Sequence, residues 1–358
     1  MKVVGHQIHR YRRWFGALAC SQATRLAAGA GVHLQLQASC GRRGFGDAAP
    51  WPGFGSGSSL KTITAQLEAA AEQLHGQELS EVMEIDDAVG ELKLPSEGRH
   101  ALELALLDLL AQEQERPLHE LLGDGNRERI PVHRLIHDEE DAQRAAAAGA
   151  SCVKLKLGAS SLSEDLDRVR RIRRRVPAKL RLRIDVNGRW DLATAQEAER
   201  RLRPYAVEWL EQPLSNGDLG QLARFRSGSQ IPIAVDECVR RLSDVDCIAA
   251  QQAADVVVIK PMFVGGLMAA RAIYWRARDR KLRAIITHSL ESCVGQAAAI
   301  QLAASLAGSL EVCGLAPHPP NAGSRATGAF VTVPRCAGLG AIPERPSGSP
   351  AKRERYTL

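Results

Sequence analysis

Short apolar runs rich in β-branched residues recur from about residue 131 onward, and helical stretches separate them. Runs of this length and composition predict buried strands. Eight of them follow one another at the spacing of a strand, a helix and two loops, over residues 131–136, 152–157, 182–186, 207–211, 233–236, 255–260, 283–287 and 310–313. This alternation predicts a parallel sheet with right-handed crossovers, and eight repeats favour a closed barrel over an open sheet.

Residues 1–128 have a different pattern and predict a separate α+β domain. A strand-like segment at 32–37 leads into a glycine-rich loop, and helical blocks follow at 60–75 and 96–114. In the second block apolar residues recur at helical spacing, namely Ala101, Leu102, Ala105, Leu106, Leu109 and Leu110. This stripe predicts a helix that packs in the core of the domain.

The barrel is expected over residues 129–321. The segment from about 322 to 345 is assigned to the first domain as a C-terminal return, and its apolar run at 329–333 can return a strand to the barrel. Residues 346–358 are polar and rich in Pro, Ser, Lys and Arg, which predicts a flexible tail.

Composition narrows the class of protein. With 358 residues, 45% of them hydrophobic and 25% charged, the chain is ordinary globular material. The net charge of +6 comes largely from arginine runs such as 168–175, whose spacing suits the solvated face of a helix. No interleaved aromatic residues accompany them, so we expect no nucleic-acid partner. The most apolar long segment, 295–317, is interrupted by polar residues, which favours a buried helix and strand over a membrane span.

The eight cysteines are scattered without a C-x-x-C pair. This is typical of free thiols in a reducing compartment, and the basic amino terminus lacks the apolar block of a signal peptide. We therefore expect a cytoplasmic protein. The sequence leaves open whether it is a monomer or a homo-oligomer.

Polar residues lie near the carboxyl ends of the second to sixth predicted strands, the end where barrel enzymes place their chemistry. They are Lys154 and Lys156, then Asp185 and Asn187, then Glu211, then Asp236 and Glu237, and last Lys260. One βα unit of about 25 residues separates each from the next. A single strand-end carboxylate is more often a helix cap, and Lys-x-Lys on an edge strand is usually solvated. Here, however, polar residues recur at the same end of five successive strands, and this joint pattern favours a functional site.

Three of these carboxylates, those of Asp185, Glu211 and Asp236, are the predicted metal ligands. Converging carboxylates repel unless a cation neutralises them, and a set without His or Cys favours Mg²⁺ over Zn²⁺, with Mn²⁺ as an alternative. Glu208 and Glu237 lie close by, but strand alternation points them elsewhere, so we expect them either to support the ligands from behind or to be structural.

Lysines flank the predicted metal from the second and sixth strands. Partial burial and a neighbouring cation should lower their pKa values and leave a neutral amine able to act as a base. A metal that binds a substrate carboxylate makes the adjacent C–H group more acidic. Proton abstraction next to a carboxylate is therefore the predicted chemistry, and a small carboxylate is the predicted substrate.

These motifs resemble the enolase superfamily, and within it the muconate-lactonising-enzyme-like subgroup. The matching stretches are KLK at 154–156, DVN at 185–187, EQP at 211–213, DE at 236–237, KP at 260–261 and GG at 265–266. The resemblance implies an α/β fold, a modified TIM barrel of the (β/α)7β type with an α+β capping domain. It also implies that Lys156 is the general base, that Lys260 acts from the opposite side, and that Lys154 tunes the charge of Lys156.

Two loops resemble those of the o-succinylbenzoate synthases in particular. The first, GFGDAAPWPGFG at 44–55, is similar to their capping loop and would place Trp51 and Phe54 over the substrate. The second, THSLESCVG at 287–295, is similar to their Ser-rich loop, whose amides and hydroxyls would suit a succinyl carboxylate. The substrate-binding or supporting residues expected from the resemblance are Lys154, Asn187, Gly265, Ser289, Glu291, Ser292, Trp51 and Phe54.

The reaction that this implies is the dehydration of 2-succinyl-6-hydroxy-2,4-cyclohexadiene-1-carboxylate to o-succinylbenzoate, a step of menaquinone biosynthesis. An N-acylamino-acid racemase, or another racemase or cycloisomerase of the subgroup, stays open because it uses the same metal and lysines. The eighth strand lacks the Asp-x-Asp of dipeptide epimerases, which counts against that activity. Residues 14–25 should form the mobile loop over the substrate, but they match the family poorly, and Asp47 stands where the family usually has Glu.

Overall fold

A three-stranded antiparallel meander and four helices form the amino-terminal part of the computed structural model, which describes residues 1–14, 28–51, 54–215, 218–316 and 326–340. The strands β1 (Val3–Trp14), β2 (Ala28–Ala38) and β3 (Arg43–Ala48) lie in the order β1-β2-β3. The helices are α1 (Leu60–Gln73), α2 (Val82–Glu91), α3 (Ser96–Glu113) and α4 (Leu118–Leu122). The predicted strand at 32–37 lies within β2, and the two predicted helical blocks correspond to α1 and α3.

Helix α3 lies directly on the sheet, and two glycines of β3 permit this approach. A Cβ atom on Gly46 would overlap the carbonyl oxygen of Ala101, and one on Gly44 would overlap that of Ala105. Residues 100–111 of α3 are all buried, so the helix is enclosed on every side and has no solvent-facing stripe. The predicted apolar stripe is therefore part of the core.

The barrel strands are β5 (Arg134–Ile136), β6 (Cys152–Lys156), β7 (Arg181–Asp185), β8 (Val207–Glu211), β9 (Ile233–Val235), β10 (Val256–Ile259) and β11 (Arg283–Ile286). All neighbours in this seven-stranded sheet are parallel. Residues near Cys313 occupy the eighth position and close the sheet. Gly314 N donates to Ile286 O at 2.9 Å, and on the other side His133 N donates to Cys313 O at 3.0 Å.

Helices follow the barrel strands in the order of the chain. They are α5 (Glu139–Ala147), α6 (Leu162–Arg175), α7 (Leu192–Leu202), α8 (Leu219–Gly228), α9 (Leu242–Ala250), α10 (Pro261–Val264), α11 (Leu267–Asp279) and α12 (Cys293–Ser305), with a 3₁₀ turn at Arg203–Tyr205. Seven strand–helix units and a closing eighth position confirm the predicted (β/α)7β barrel with its capping domain. Side chains from the strands fill the interior of the barrel, and Trp209, Val256 and Val258 belong to this buried cluster.

A small sheet joins the end of the chain to the start of the barrel. Its strands are β4 (Arg129–Pro131), β12 (Ala326–Thr327) and β13 (Phe330–Thr332), in the order β12-β13-β4. The apolar run at 329–333 therefore forms a strand, which pairs with β4 antiparallel outside the parallel barrel sheet. The predicted tail at 346–358, and most of the segment 14–25, lie outside the described residues.

Some elements have no counterpart in the sequence prediction, chiefly β1 and α2. Polar residues occupy several positions of β1, and His6, His9, Arg10 and Arg12 are at least partly exposed. The apolar alternation that marks a strand is therefore missing. In the described parts of the chain, no helix has both the length and the apolar character needed to cross a bilayer.

The contact between β3 and α3 gives a stability prediction. Replacing Gly46 with Ala forces a methyl group into the backbone of α3, so we expect the free energy of unfolding to fall by about 3 kcal/mol. Urea denaturation followed by circular dichroism measures this loss. Gly5→Ala in β1 is the matched control, because its nearest neighbour, the Cβ atom of Gln37, is 4.0 Å away. Equal denaturation midpoints for the two variants would contradict the packing described here.

Candidate active site

Alternating charges fill the carboxyl-terminal end of the barrel. Lys154 and Lys156 lie on β6, Asp185 ends β7, Glu211 ends β8, Asp236 follows β9 and Lys260 follows β10. The pairing register brings Lys156 level with Asp185, and Asp185 level with Glu211. The three carboxylate side chains are almost completely buried, and those of the contacting lysines Lys154 and Lys260 are 12% and 15% exposed. The structure therefore brings together the residues that the spacing predicted to meet.

Lys154 is the counterion of two of these carboxylates. Its Nζ atom lies 2.9 Å from Asp185 Oδ2 and 2.7 Å from Glu211 Oε1. Although burial opposes the charged form, the two carboxylates outweigh this effect and raise the pKa of Lys154 above its ordinary value. Lys154 is therefore a fixed positive charge and a poor candidate for the base.

The other two lysines have opposite tendencies. Burial, reinforced by the charges of Lys154 and Lys260, holds the pKa of Lys156 below its ordinary value. Burial also acts on Lys260, but the carboxylates of Asp236 and Glu237 outweigh it and raise its pKa, and Lys260 Nζ donates to Asp236 Oδ2. The expectation that both flanking lysines have lowered pKa values is therefore correct for Lys156 and wrong for Lys260, because Asp236 pairs with Lys260 directly.

The balance between burial and charge differs from one carboxylate of the site to another. Burial and the nearby Asp185 and Asp236 raise the pKa of Glu211 to about 7, in spite of Lys154. Glu211 Oε2 is buried and has no hydrogen-bond partner among the described residues. For Asp185, burial is outweighed by Lys154 and Lys156, which lower its pKa. An unpaired carboxylate oxygen facing other carboxylates is a suitable ligand for a hard cation.

The described residues contain no group of three His, Cys, Asp or Glu side chains already arranged as a metal site. In this arrangement the ammonium group of Lys154 bridges Asp185 and Glu211. The chemistry of the donor set fits a hard divalent cation, which would compete with Lys154 and Lys260 for the same three carboxylates.

Unusual backbone conformations hold the ends of β7 and β8. Asn187 and Gln212 both have positive φ angles, of 49° and 39°. Asn187 N donates to Asp185 Oδ1 at 3.0 Å, and the buried Gln212 side chain accepts from Asp236 N at 3.0 Å. Strained positions of this kind concentrate at functional sites, where the surrounding structure compels them. Sequence reasoning missed Gln212, although its place beside Glu211 in the EQP motif was a usable signal.

Glu237 belongs to this cluster as well, although strand alternation pointed it away. It accepts from Asn187 Nδ2 at 3.3 Å, and burial together with Asp236 raises its pKa to about 8. The turn that follows β9 redirects its side chain. Glu208 faces the barrel interior because β8 has a bulge, and it pairs there with Arg183 at 2.8 Å. Alternation pointed Glu208 elsewhere, and its supporting or structural role stays a prediction.

The aromatic loop of the capping domain lies over Lys260. Trp51 and Phe54 form a small apolar cluster with Ala49, Met262 and Phe263. The ring centroid of Phe54 is 4.4 Å from Lys260 Nζ, and its ring stacks on that of Phe263. The predicted loop thus contacts the site through Lys260, and the cation–π contact favours the charged form of that lysine.

The loop after β11 is held mainly by bonds within the protein. Ser289 N donates to Glu291 Oε2, Leu290 N to His288 Nδ1, and Ser292 N to Asp47 Oδ2 at 2.9 Å. These amides are therefore already satisfied, which differs from the expectation that they are open to a substrate carboxylate. The hydroxyl of Ser289 is buried and has no hydrogen-bond partner among the described residues.

Capping-domain residues that the sequence analysis did not assign hold Ser292. Asp47 accepts from Ser292 Oγ at 2.7 Å and from the Tyr11 hydroxyl, while His33 Nε2 lies 2.8 Å from Ser292 Oγ. Asp47 was noted only as a departure from the family pattern. Nothing in the chain's periodicity signals that residues 33, 47 and 292 meet, because they lie on separate elements.

Gly265 lies at the boundary between the two domains. It has a φ angle of +95° at the end of α10, and an added Cβ atom would meet Arg99 Cδ at 3.5 Å. Its left-handed conformation ends α10, the short helix that begins directly after Lys260. The structure therefore places Gly265 in the contact between the two domains.

Two family models match the chain. Residues 137–346 match the enolase C-terminal domain-like family, and residues 18–123 match the N-terminal domain family of mandelate racemase and muconate lactonizing enzyme. The chain is 31% identical over 285 residues to a chloromuconate cycloisomerase of Cupriavidus pinatubonensis, and the matched region covers 77% of each chain. Its fold is similar to that of the L-Ala-D/L-Glu epimerase from Bacillus subtilis, with a TM-score of 0.86, 24% identity and coverage of 95% of this chain and 98% of that one.

This protein belongs to the enolase superfamily and to its muconate-lactonising-enzyme-like subgroup, which confirms the resemblance. Its relatives within the subgroup have different activities. It is 36% identical over 195 residues to an o-succinylbenzoate synthase of Thermobifida fusca, covering 53% of this chain and 60% of that protein. It is also 29% identical over 215 residues to an N-succinyl-L-Arg/Lys racemase of Bacillus cereus, covering 58% of each. Family membership therefore defines an enzyme and leaves the reaction to be argued from the site.

Lys154 is the counterion of both Asp185 and Glu211, and this gives a second prediction. Replacing Lys154 with Met leaves Asp185 and Glu211 buried without their cation, so we expect the free energy of unfolding to fall by about 3 kcal/mol or more. Urea denaturation at neutral pH measures the change. Lys61→Met, at an exposed position of α1, is the control and should change stability by less than about 0.5 kcal/mol. A Lys154→Met protein as stable as the control would show that the ion pairs do not hold the site.

Proposed function

We propose that this protein is a metal-dependent dehydratase that converts 2-succinyl-6-hydroxy-2,4-cyclohexadiene-1-carboxylate to o-succinylbenzoate, in menaquinone biosynthesis. The observation that carries the proposal is the unequal setting of the two lysines across the barrel mouth. Lys260 is engaged as an ammonium by Asp236 and the Phe54 ring. For Lys156, burial together with the charges of Lys154 and Lys260 outweighs the opposing effect of Asp185 and lowers the pKa. One base is sufficient for this dehydration, while racemisation needs a proton-transfer group on each face of the substrate.

We assign Asp185, Glu211 and Asp236 as ligands of Mg²⁺, with Mn²⁺ as an alternative. Three supporting points are the all-oxygen donor set, the unpaired Glu211 Oε2 atom and the raised pKa of Glu211. When bound, the metal polarises the substrate carboxylate and makes the neighbouring C–H group more acidic. Lys154 then contributes a second positive charge beside the ligands and disfavours the charged form of Lys156.

In this proposal Lys156 performs both proton transfers. Its neutral amine removes the proton α to the carboxylate, and the electron pair of that C–H bond forms the new ring double bond as the C–O bond breaks. The protonated Lys156 gives the proton to the departing hydroxyl group, which leaves as water. The Lys260 ammonium group faces the negative charge that develops on the substrate, and the ring becomes aromatic without any redox partner.

We propose that the aromatic loop and the loop after β11 contact the rest of the substrate. Trp51 and Phe54 supply an apolar cover over Lys260. Because the amides of the second loop are already bonded, we assign the direct polar contact to the Ser289 hydroxyl and give Glu291 and Ser292 a supporting role.

Asn187 supports the site by its bond to Asp185, and Gly265 by its place in the domain contact. We also propose that the protein acts on its small carboxylate substrate in the cytoplasm. None of the seven described cysteines forms a disulfide, as is usual in a reducing compartment.

A spectrophotometric assay for o-succinylbenzoate formation tests this proposal. The wild-type protein should form the product with Mg²⁺, lose the activity in EDTA and regain it when Mg²⁺ is added in excess. Lys156→Ala should lower kcat by at least about 1,000-fold, because the only assigned base is removed. Lys61→Met is the surface control and should match the wild type. Full activity of Lys156→Ala would refute the assigned base, and an inactive wild type would refute the assigned substrate.

An N-acylamino-acid racemase is the second candidate, because Lys156 on β6 and Lys260 after β10 lie at the same end of the barrel but on strands that are four positions apart in the sheet. Incubation of N-succinyl amino acids of each configuration in D₂O distinguishes the two activities. A dedicated synthase leaves them unchanged. A racemase inverts them and incorporates deuterium, and Lys260→Ala should then still exchange the enantiomer whose proton faces Lys156. Rapid racemisation without o-succinylbenzoate formation would favour this alternative.

A further inference from the structure

The base proposed above is the last residue of β6, where the register with β7 also ends. Leu157 N donates to Asp185 O at 2.9 Å, which ties this end of β6 to β7. Gly158 follows with a φ angle of +83° and leads into the loop before α6. A backbone at a strand end needs further partners if its side chain is to be held in one place.

Two residues of α6 supply those partners. Asp165, in the first turn of the helix, has a side chain that is 1% exposed and accepts from Gly158 N at 2.6 Å. Arg168 Nη2, one turn later, donates to Lys156 O and lies 3.1 Å from Asp165 Oδ1. The ion pair thus grips the main chain on both sides of Leu157, and Asp165 is also favourably placed near the amino terminus of the helix.

Arg168 belongs to the arginine run that its spacing assigned to a solvated helix face. Most of the run fits that description, since Arg170, Arg171, Arg174 and Arg175 are exposed. Arg168 is an exception, with a side chain that is 26% exposed and directed to the strand end. A surface ion pair contributes little to stability, but this one is bonded to the backbone of Lys156.

We propose that Asp165 and Arg168 are positioning residues that fix the Nζ atom of Lys156 through its main chain. They do not touch the substrate. The proposal rests on the proposed function only in taking Lys156 as the base. Small displacements of a reacting group cost large factors in rate, so loss of this grip should reduce the proton-transfer step more than substrate binding.

The test compares Arg168→Met with Arg170→Met. Arg170 and Asp167 form an ion pair of the same i,i+3 spacing on the same helix, at 2.6 Å, with both side chains 47% exposed. We expect Arg168→Met to lower kcat about 30-fold and to change KM less than about threefold. Arg170→Met should keep both constants within about twofold of the wild type. Arg168→Lys, which keeps one donor, should recover part of kcat.

Hydrogen exchange of the peptide covering residues 152–160 gives a readout that needs no substrate. Asp165→Ala and Arg168→Met should accelerate exchange in this peptide about tenfold, while peptides from β8 and β10 keep wild-type protection. If the wild type fails to turn over the proposed substrate but the local exchange rises as expected, the assigned reaction is wrong and the positioning role stands. Wild-type exchange at 152–160 in both variants, or an unchanged kcat in Arg168→Met, overturns the positioning role.

Discussion

The electrostatic balance at the barrel mouth is the constraint on which the rest of the site depends. Three carboxylates and three lysines are buried together at the ends of adjacent strands, and none could be buried alone without a large loss of solvation. Lys154 bridges Asp185 and Glu211, and Lys260 pairs with Asp236. Burial and the neighbouring charges act differently on the other groups. Burial, with Lys154 and Lys260, lowers the pKa of Lys156, and burial, with Asp185 and Asp236, raises that of Glu211. One arrangement thus prepares both the proposed base and the proposed cation site.

A second constraint is the enclosure of α3, which joins the capping domain to the barrel. Buried acidic side chains of this helix accept from the backbone of three separate segments. Glu97 accepts from Ser56 N, Glu103 from Leu267 N at the start of α11, and Asp108 from Leu339 N near the end of the chain. Burial raises the pKa of Glu103 to about 8, because the charged form of the carboxyl group is poorly solvated there. The helix therefore fixes the aromatic loop and the segment after Lys260 relative to one another.

The loop after β11 shows how folding can use the hydrogen-bond donors that a sequence offers. Its Ser and Glu residues suggested open hydrogen-bond donors for a substrate carboxylate. Folding turns the loop on itself and against Asp47, so its amides are consumed and only the Ser289 hydroxyl lacks a partner among the described residues. In the proposed function, substrate selection therefore depends on the Ser289 hydroxyl and on the aromatic cover.

The sequence by itself determined the barrel, the α3 core helix and the meeting of Lys156, Asp185 and Lys260, because strand periodicity and one-unit spacing are local properties that parallel pairing converts into proximity. It did not reveal β1, whose polar residues lack strand alternation. Only the tertiary structure decided that Lys260 pairs with Asp236, that Asp47 holds Ser292, and that Arg168 turns inward to Lys156 O. These outcomes depend on contacts between distant segments and on unequal burial, and neither is encoded in the spacing of residues along the chain.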